Sequence, residues 1–454
     1  MTAFTNNEHE EFIENKSKLR EYFLSGYKPK EDFKIGCEYE KFAIFYPELK
    51  PLDYYGDRGI FSLFKELEKN YNWKPEYEGE HIISLLKNSK SITLEPGGQV
   101  ELSGKPLKTL HEVDEEMKEH ISEIKEITKN HGIAWYSCGM NPFLKNEDIP
   151  WMPKERYKIM KDYLITKGNL SHYMMKQTAT IQANLDYIDE EDAIKKFRIS
   201  YGVNGIVTAM FANSPIYDGK ETGFYTKRSD IWKYTDPERC GIPKDVFSPN
   251  YSYDDYLNFV LNNRMFLIKR NGVTIDMTHM TFNEFMKKGY QGYRATHEDW
   301  LTQLSTVFPE TRIMRYIELR CTDSQNMDLA MAIPALWKGI LYSDDALNAA
   351  WELVKDIDYE THVKWRSEVS RYAMQAQIKN YKTKELAKEL FNIAYEGLKS
   401  QNNLNNKKQN ETIFLEELEE KVIKTGKSPA ETLIENWEKK YNRSLDRLIN
   451  GLII

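Results

Sequence analysis

The chain has 454 residues and a net charge of −7, from 63 Lys and Arg against 70 Asp and Glu. Hydrophobic residues make up 41% and aromatics 13%, enough for a large core and too much for a disordered chain. The charge is spread without a basic patch, which argues against a nucleic-acid partner, and no apolar run reaches the roughly 18 residues that a membrane span needs.

The first residues, MTAFTNNEHEEF, lack the apolar segment of a secretory signal. Cys37, Cys138, Cys240 and Cys321 make no CxxC pair, so they read as free, mostly buried thiols of a cytoplasmic protein. Residues 7–26 have helical spacing, with Phe12, Leu19 and Phe23 among charges. A strand is predicted over 33–45, and the outer parts of 91–104 read as strand around Pro96-Gly97-Gly98. An amphipathic helix follows over 107–132, stopping at Gly132, and another strand starts at 133. Residues 177–187 alternate as a strand and 190–214 are helical. The stretch 215–255 is long and irregular, 312–323 is the last clear strand, and most of 325–454 reads as helix. Strands scattered among helices, without regular βα alternation, predict an α+β fold with a mostly antiparallel sheet. The expected organisation is one body over 1–454, with a helical segment at 1–30 and a helical portion at 325–454.

Alternate residues of a strand share a face. By that rule Glu38 and Glu40 share one, as do Glu95, Gln99 and Glu101. Thr180, Gln182 and Asn184 share another, and so do Tyr316, Glu318 and Arg320. Any one of these faces fits a solvated outer surface. On neighbouring strands, however, Glu38, Glu40, Glu95, Glu101 and Glu318 would repel one another unless cations lay among them. Hard oxygen donors, with no histidine in metal-binding spacing, suit Mg²⁺ or Mn²⁺. Gly97 and Gly98 fit either a plain turn or a backbone that a ligand approaches closely. The stretch KTGKSP (424–429) lacks the upstream glycine of a Walker loop, so phosphates would have to be bound by metals and arginines. Lys154, Arg156 and Lys158 read as a charged helix face or an anion site. Arg228, in the long irregular stretch, is suited to holding a carboxylate with two prongs.

Taken together, IGCEYEKF, ITLEPGGQVELSGKPLKTLHE, MPKERYKIM, MMKQTATIQANLDY, KFRISYGVNGIVTAMFANSP, KRSDIWKYTDPER and RYIELRCTDS resemble the plant and proteobacterial type of glutamate–cysteine ligase. They occur in family order, and the similarity runs from about residue 30 to TGKSPAETLIENW. The resemblance implies a six-stranded antiparallel sheet curved into a funnel, surrounded by helices and related to glutamine synthetase and guanidino kinases. It implies ATP-dependent joining of the glutamate γ-carboxylate to the amine of cysteine through γ-glutamyl phosphate, the first step of glutathione synthesis.

It also implies roles. Glu38, Glu40, Glu95, Glu101 and Glu318 would bind Mg²⁺ or Mn²⁺. Arg228 would hold the glutamate α-carboxylate, and Arg320 would neutralise the transferring phosphoryl group, with Arg156 a further cationic candidate. Gln182, which stands where enterobacterial ligases carry histidine, would face substrate together with Asn184, while Gly97 and Gly98 would join Arg320 at the nucleotide. Tyr234 lies where the sequence departs from the plant pattern and would line the acceptor pocket. That departure, and another after Arg320, leave open an amine other than cysteine. A guanidino-type kinase and a non-catalytic metal or amino-acid binder are the remaining alternatives, the latter disfavoured by Arg320. Expected partners are small molecules only, in a monomer or homodimer.

Overall fold

In the computed structural model, which describes residues 12, 13 and 15–454, one long strand organises the chain. This is β1 (Ile35–Phe45), with Cys37 and Tyr39 buried on one face and Glu38 and Glu40 on the other. The sheet around it comprises β2 (Lys50–Pro51), β3 (Lys74–Glu78), β4 (His81–Lys87), β5 (Lys90–Leu94), β6 (Val100–Ser103), β7 (Ile133–Tyr136), β8 (Ile181–Leu185), β9 (Thr311–Ile313) and β10 (Ile317–Leu319). Its order is β9-β10-β8-β1-β6-β5-β4-β3, with β2 and β7 paired to β1 off that path. Every pairing in it is antiparallel.

The sheet has ten strands where the family resemblance implied six. The length of β1 is one reason. Its first part pairs with β8 and β6, while Phe42–Phe45 pairs with β7. The β3–β4 hairpin then extends the far edge. The strand expected over 312–323 is also divided. The Met314 amide donates to the Tyr316 carbonyl at 2.8 Å, closing a turn between β9 and β10, and Arg320 lies just beyond β10.

The helices that matter for the site are α1 (Lys16–Leu24), α2 (Leu110–Thr128), α3 (Glu155–Leu164), α4 (Ser171–Gln177), α5 (Glu190–Met210), α6 (Lys227–Lys233), α7 (Ala332–Leu341) and α8 (Tyr359–Tyr372). Asn15 caps α1, accepting from the Ser17 amide at 3.0 Å. The start of the helix expected over 7–26 falls outside the described residues, and Phe12 bridges Thr296 instead of extending it. A capping box of Thr109 and Glu112 starts α2. Helix α6 lies inside the stretch expected to be irregular, because Thr226 caps it through the Ser229 amide at 3.2 Å. Arg228 is therefore in a first helical turn and not in a loop. Helices α5 and α7 cover the apolar face of the sheet, which leaves the acidic face for chemistry.

The loop between β5 and β6 explains its own glycines. The Gly98 amide donates to the Glu95 carbonyl and the Glu95 amide to the Gln99 carbonyl, both at 2.9 Å. Gly98 has φ +84°, the left-handed position of a three-residue hairpin loop. A Cβ on Gly97 would lie 2.4 Å from the Lys176 carbonyl oxygen. Gln99 is 1% exposed, and its amide nitrogen donates to the Thr178 carbonyl at 2.8 Å. It is a clamp between this hairpin and the segment entering β8. The glycines expected to admit a nucleotide thus admit the protein's own chain. Gly97→Ala is expected to destabilise the fold by about 1–3 kcal/mol through overpacking. Urea unfolding of the two proteins checks this, and an unchanged midpoint would contradict it.

Candidate active site

Register places the expected side chains together. Glu40 pairs across to Glu101, Glu38 to Gln182 on one side and Ser103 on the other, and Asn184 to Glu318. Because paired residues point to the same face, the polar faces of β1, β6, β8 and β10 form one surface.

The carboxylates on it are tied to the sheet. Glu101 accepts from Thr93 Oγ1 at 2.8 Å and Ser103 Oγ at 3.1 Å, and it shares a hydrogen bond with Glu38. Glu40 accepts from the Thr180 amide at 2.9 Å. Asn184 Nδ2 donates to Glu38 at 3.0 Å, while its buried Oδ1 has no partner among the described residues. Glu95 stands at the start of the β5–β6 loop.

Burial and mutual repulsion set their acidity. Burial, then Glu318 and Glu101, push Glu38 from an ordinary 4.5 to about 8. Burial, then Glu95 and Glu101, push Glu40 well above its ordinary value. Burial and Glu101 raise Glu95 to about 7, partly offset by Lys154, Arg156 and Arg320. Glu318 goes the other way. Burial would raise it, but Arg312 and then Arg320 hold it below the usual carboxylate range.

Arg312, which the sequence did not single out, grips Glu318 with two prongs at 2.5 and 2.9 Å. Its other donors reach the Ser305 and Val307 carbonyls at 3.0 and 3.1 Å. Arg320 donates to Glu318 at 3.2 Å and to Gln182 Oε1 at 2.6 Å, so two side chains aim it. Arg228 is 4% exposed, and among the described residues its guanidinium makes one hydrogen bond, to the Arg320 carbonyl at 3.0 Å. A buried guanidinium with spare donors is equipped to receive an anion. Asp323, also not anticipated, supports it. Its carboxylate accepts from the Asn213 amide, Ser214 Oγ and Thr226 Oγ1, fastening the start of α6.

The expected cationic segment divides. Lys154 donates to the Leu94 carbonyl at 3.0 Å, and burial lowers its amine to about 8. Lys154 and Arg156 both act on the charge of Glu95, whereas Lys158 is exposed. Arg228, Trp232, Phe308, Glu310, Arg320 and Arg366 line a cleft. Tyr234 does not. It follows the last residue of α6 at the surface, 52% exposed, whereas Trp232 of the same helix lines the cleft.

Could these residues hold a divalent cation? Among the described residues, no three acidic, histidine or cysteine side chains already converge in ligand geometry. The donor chemistry fits nonetheless. Glu38, Glu40 and Glu95 are oxygen donors whose pKa is raised by burial and then by neighbouring carboxylates, Glu101 among them in each case, and a hard cation would relieve that repulsion. The four cysteines are free, and no described helix is long and apolar enough to cross a membrane.

The raised carboxyls have a consequence for stability. They bind protons in the folded state that the unfolded chain has released, so raising pH favours unfolding. The metal-free protein should lose stability as pH rises from 4.5 to about 8, and Glu38→Gln should make that slope shallower. Denaturant titrations across this range test it; an identical slope in the variant would contradict the placement of Glu38.

Comparison with known proteins bears on the same residues. Residues 34–449 match the glutamate–cysteine ligase family 2. The chain is 36% identical to the chloroplastic glutamate–cysteine ligase of Medicago truncatula over 441 residues, which is 96% of this chain and 85% of the relative. The chloroplastic enzyme of Arabidopsis thaliana is 36% identical over 435 residues, covering 95% of this chain and 81% of its own. These chloroplastic relatives overturn the expected cytoplasmic location. The fold is similar to the glutamate–cysteine ligase of Francisella tularensis solved in complex with AMP, with a TM-score of 0.57 at 14% identity, covering 92% of this chain and 87% of that one. The expected α+β architecture, with its large antiparallel sheet among helices, is the architecture found. Motifs, sheet and family match agree, and the chain belongs to the glutamate–cysteine ligase family.

Proposed function

We propose that this protein uses ATP to phosphorylate the γ-carboxylate of glutamate and then joins that carbon to the amine of cysteine, giving γ-glutamylcysteine, ADP and phosphate. One observation supports this most: a buried face of carboxylates ends in aimed or unsatisfied guanidiniums. That pairing suits a metal-bound triphosphate beside an anionic acceptor of its phosphoryl group.

The roles follow from position. Glu38, Glu40, Glu95 and Glu101 would hold Mg²⁺ or Mn²⁺, and Glu318, beside Glu38 and braced by Arg312, would be a further ligand. When bound, the cation neutralises the phosphates and the carboxylates together. Arg228 takes the α-carboxylate of glutamate in a two-pronged contact. Arg320, aimed by Glu318 and Gln182, meets the negative charge that spreads over the transferring phosphoryl group. Lys154 and Arg156, on the Glu95 side, face the phosphate tail. The Asn184 carbonyl oxygen is spare for a substrate donor. No side chain here is placed as a covalent nucleophile, so the rate enhancement comes from positioning and electrostatics.

The order of events is testable. Without any amine acceptor, the enzyme should consume ATP slowly and only with glutamate present, and the trapped γ-glutamyl phosphate should cyclise to 5-oxoproline. During full turnover, oxygen-18 placed in the γ-carboxylate should appear in the released phosphate. Amide product formed with label-free phosphate would exclude an acyl phosphate. A guanidino kinase would give neither signal.

A further inference from the structure

By alternation Gln99 belongs with Glu95 and Glu101, yet its side chain is sealed while Glu95 stays partly open. Both ends of the Gln99 carboxamide are used inside the protein. Oε1 accepts from the Gly97 amide at 3.0 Å, and Nε2 donates to the Thr178 and Met175 carbonyls at 2.8 and 3.3 Å. The place needs one acceptor and a donor with two protons, which a glutamine supplies. A glutamate would turn an oxygen toward two carbonyls. Because Gln99 is sealed, it touches neither substrate nor cation, and any part it has in the site acts through its neighbours.

Those neighbours carry two of the carboxylates. On the hairpin side, the Gln99 carbonyl accepts from the Glu95 amide at 2.9 Å, closing the loop that presents Glu95. On the other side, Thr178 leads in two residues to Thr180. The Thr180 amide donates to the Glu40 carboxylate at 2.9 Å, and its carbonyl accepts from the Glu40 amide at 3.1 Å. Among the described residues, the two bonds from Gln99 Nε2 are the only hydrogen bonds joining 95–99 to 174–180. The far flank of the loop is held separately, by the Met152 amide on the Pro96 carbonyl at 3.0 Å, so loss of the clamp shifts the loop without freeing it. The acids sense the spacing that results: among charged groups, Glu95 acts most strongly on Glu40.

We propose that Gln99 is a positioning residue for the divalent cation: its carboxamide fixes the separation of Glu95 and Glu40, and so selects a small octahedral ion such as Mg²⁺ over Ca²⁺. The proposal rests on the cation-dependent ligase function given above and deepens it. Mg²⁺ demands near-ideal octahedral geometry with oxygens at about 2.0–2.1 Å, whereas Ca²⁺ takes more oxygens at about 2.3–2.6 Å in flexible arrangements. Two carboxylates held at a set spacing serve the first ion. Two that can spread apart serve the second. Groups that orient ligands without touching the metal typically change its affinity roughly 10- to 100-fold when altered.

The experiment measures Mn²⁺ binding to the whole metal-free protein by electron paramagnetic resonance, with Mg²⁺ and Ca²⁺ as competitors. Gln99→Met, close in size but unable to donate, should weaken Mn²⁺ and Mg²⁺ roughly 10- to 100-fold. Ca²⁺ should change less, so the preference for Mg²⁺ over Ca²⁺ falls. The control is Thr383→Val, which loses the buried hydrogen bond from Trp365 Nε1 at 3.0 Å among the C-terminal helices and should leave all three affinities at wild type. Circular dichroism checks that each protein is folded. Should Gln99→Met not fold, Gln99→Asn, which keeps both polar groups on a shorter arm, makes the same comparison. Wild-type affinity and preference in the variant at 99 overturn the proposal, as does an equal loss for Mg²⁺ and Ca²⁺ or an equal loss in Thr383→Val. Binding by the wild type separates the failures. If it takes up no Mn²⁺, the cation reading fails and the proposal with it; if it binds and the variant binds equally well, only the role of Gln99 fails.

Discussion

Repulsion between carboxylates facing each other across β1 and β6 is the constraint on which the site depends. Glu40 stands in register with Glu101, and Glu38 and Glu95 add two more acids to the same patch. Two unit charges 4 Å apart interact by about 4 kcal/mol even at the effective dielectric typical near a protein surface. Four such groups cannot all stay ionised without help. The sheet supplies a little, through the Thr180 amide and the Thr93 and Ser103 hydroxyls. The remainder is met by keeping protons on Glu38, Glu40 and Glu95, as their raised pKa reflects. Such a patch favours any ligand that brings positive charge and oxygen-coordination chemistry.

At the other end of the face, guanidinium groups divide the work by what they touch. Arg312 is spent on the fold, holding Glu318 with two prongs and fastening the carbonyls before β9. That contact keeps Glu318 ionised, and the ionised Glu318 aims Arg320. Arg228 is kept largely unsatisfied by Asp323, which secures its helix from behind through the capping Thr226. The result is a gradient along one sheet face, from excess negative charge at β6 to excess positive charge beyond β10. A phosphoryl donor with its cation and an anionic acceptor fit along such a gradient in only one direction.

Much of this face was legible from alternation alone. Glu38, Glu40, Glu101, Gln182 and Asn184 lie on strands whose residues truly alternate, and the structure brings all five together. The alternation failed where the chain turns without a turn residue. Met314-Arg315-Tyr316 carries no glycine or proline, so the reversal between β9 and β10 was hidden, and with it the pairing of Arg312 to Glu318. Helix α6 was hidden for a different reason: it is seven residues long and flanked by Pro, Asp and Tyr. Its shortness left Arg228 looking like a loop residue and hid that Trp232, and not Tyr234, faces the cleft. Gly97 and Gly98 were ambiguous because a ligand and a neighbouring backbone make the same steric demand, and only the position of Lys176 distinguishes them.

The central claim is that these carboxylates retain protons until a divalent cation displaces them. The direct measurement is proton release when Mn²⁺ is titrated into the metal-free protein near pH 7, followed in buffers of different ionisation enthalpy by calorimetry. Burial and the neighbouring carboxylates push Glu38 up to about 8 and Glu95 up to about 7 in the metal-free site. The account predicts that each binding event releases protons, that the release fades as pH rises above 8, and that Glu38→Gln reduces it. Tight Mn²⁺ binding with no proton release between pH 6 and 8 would contradict it, because the carboxylates would then already be ionised in the empty site.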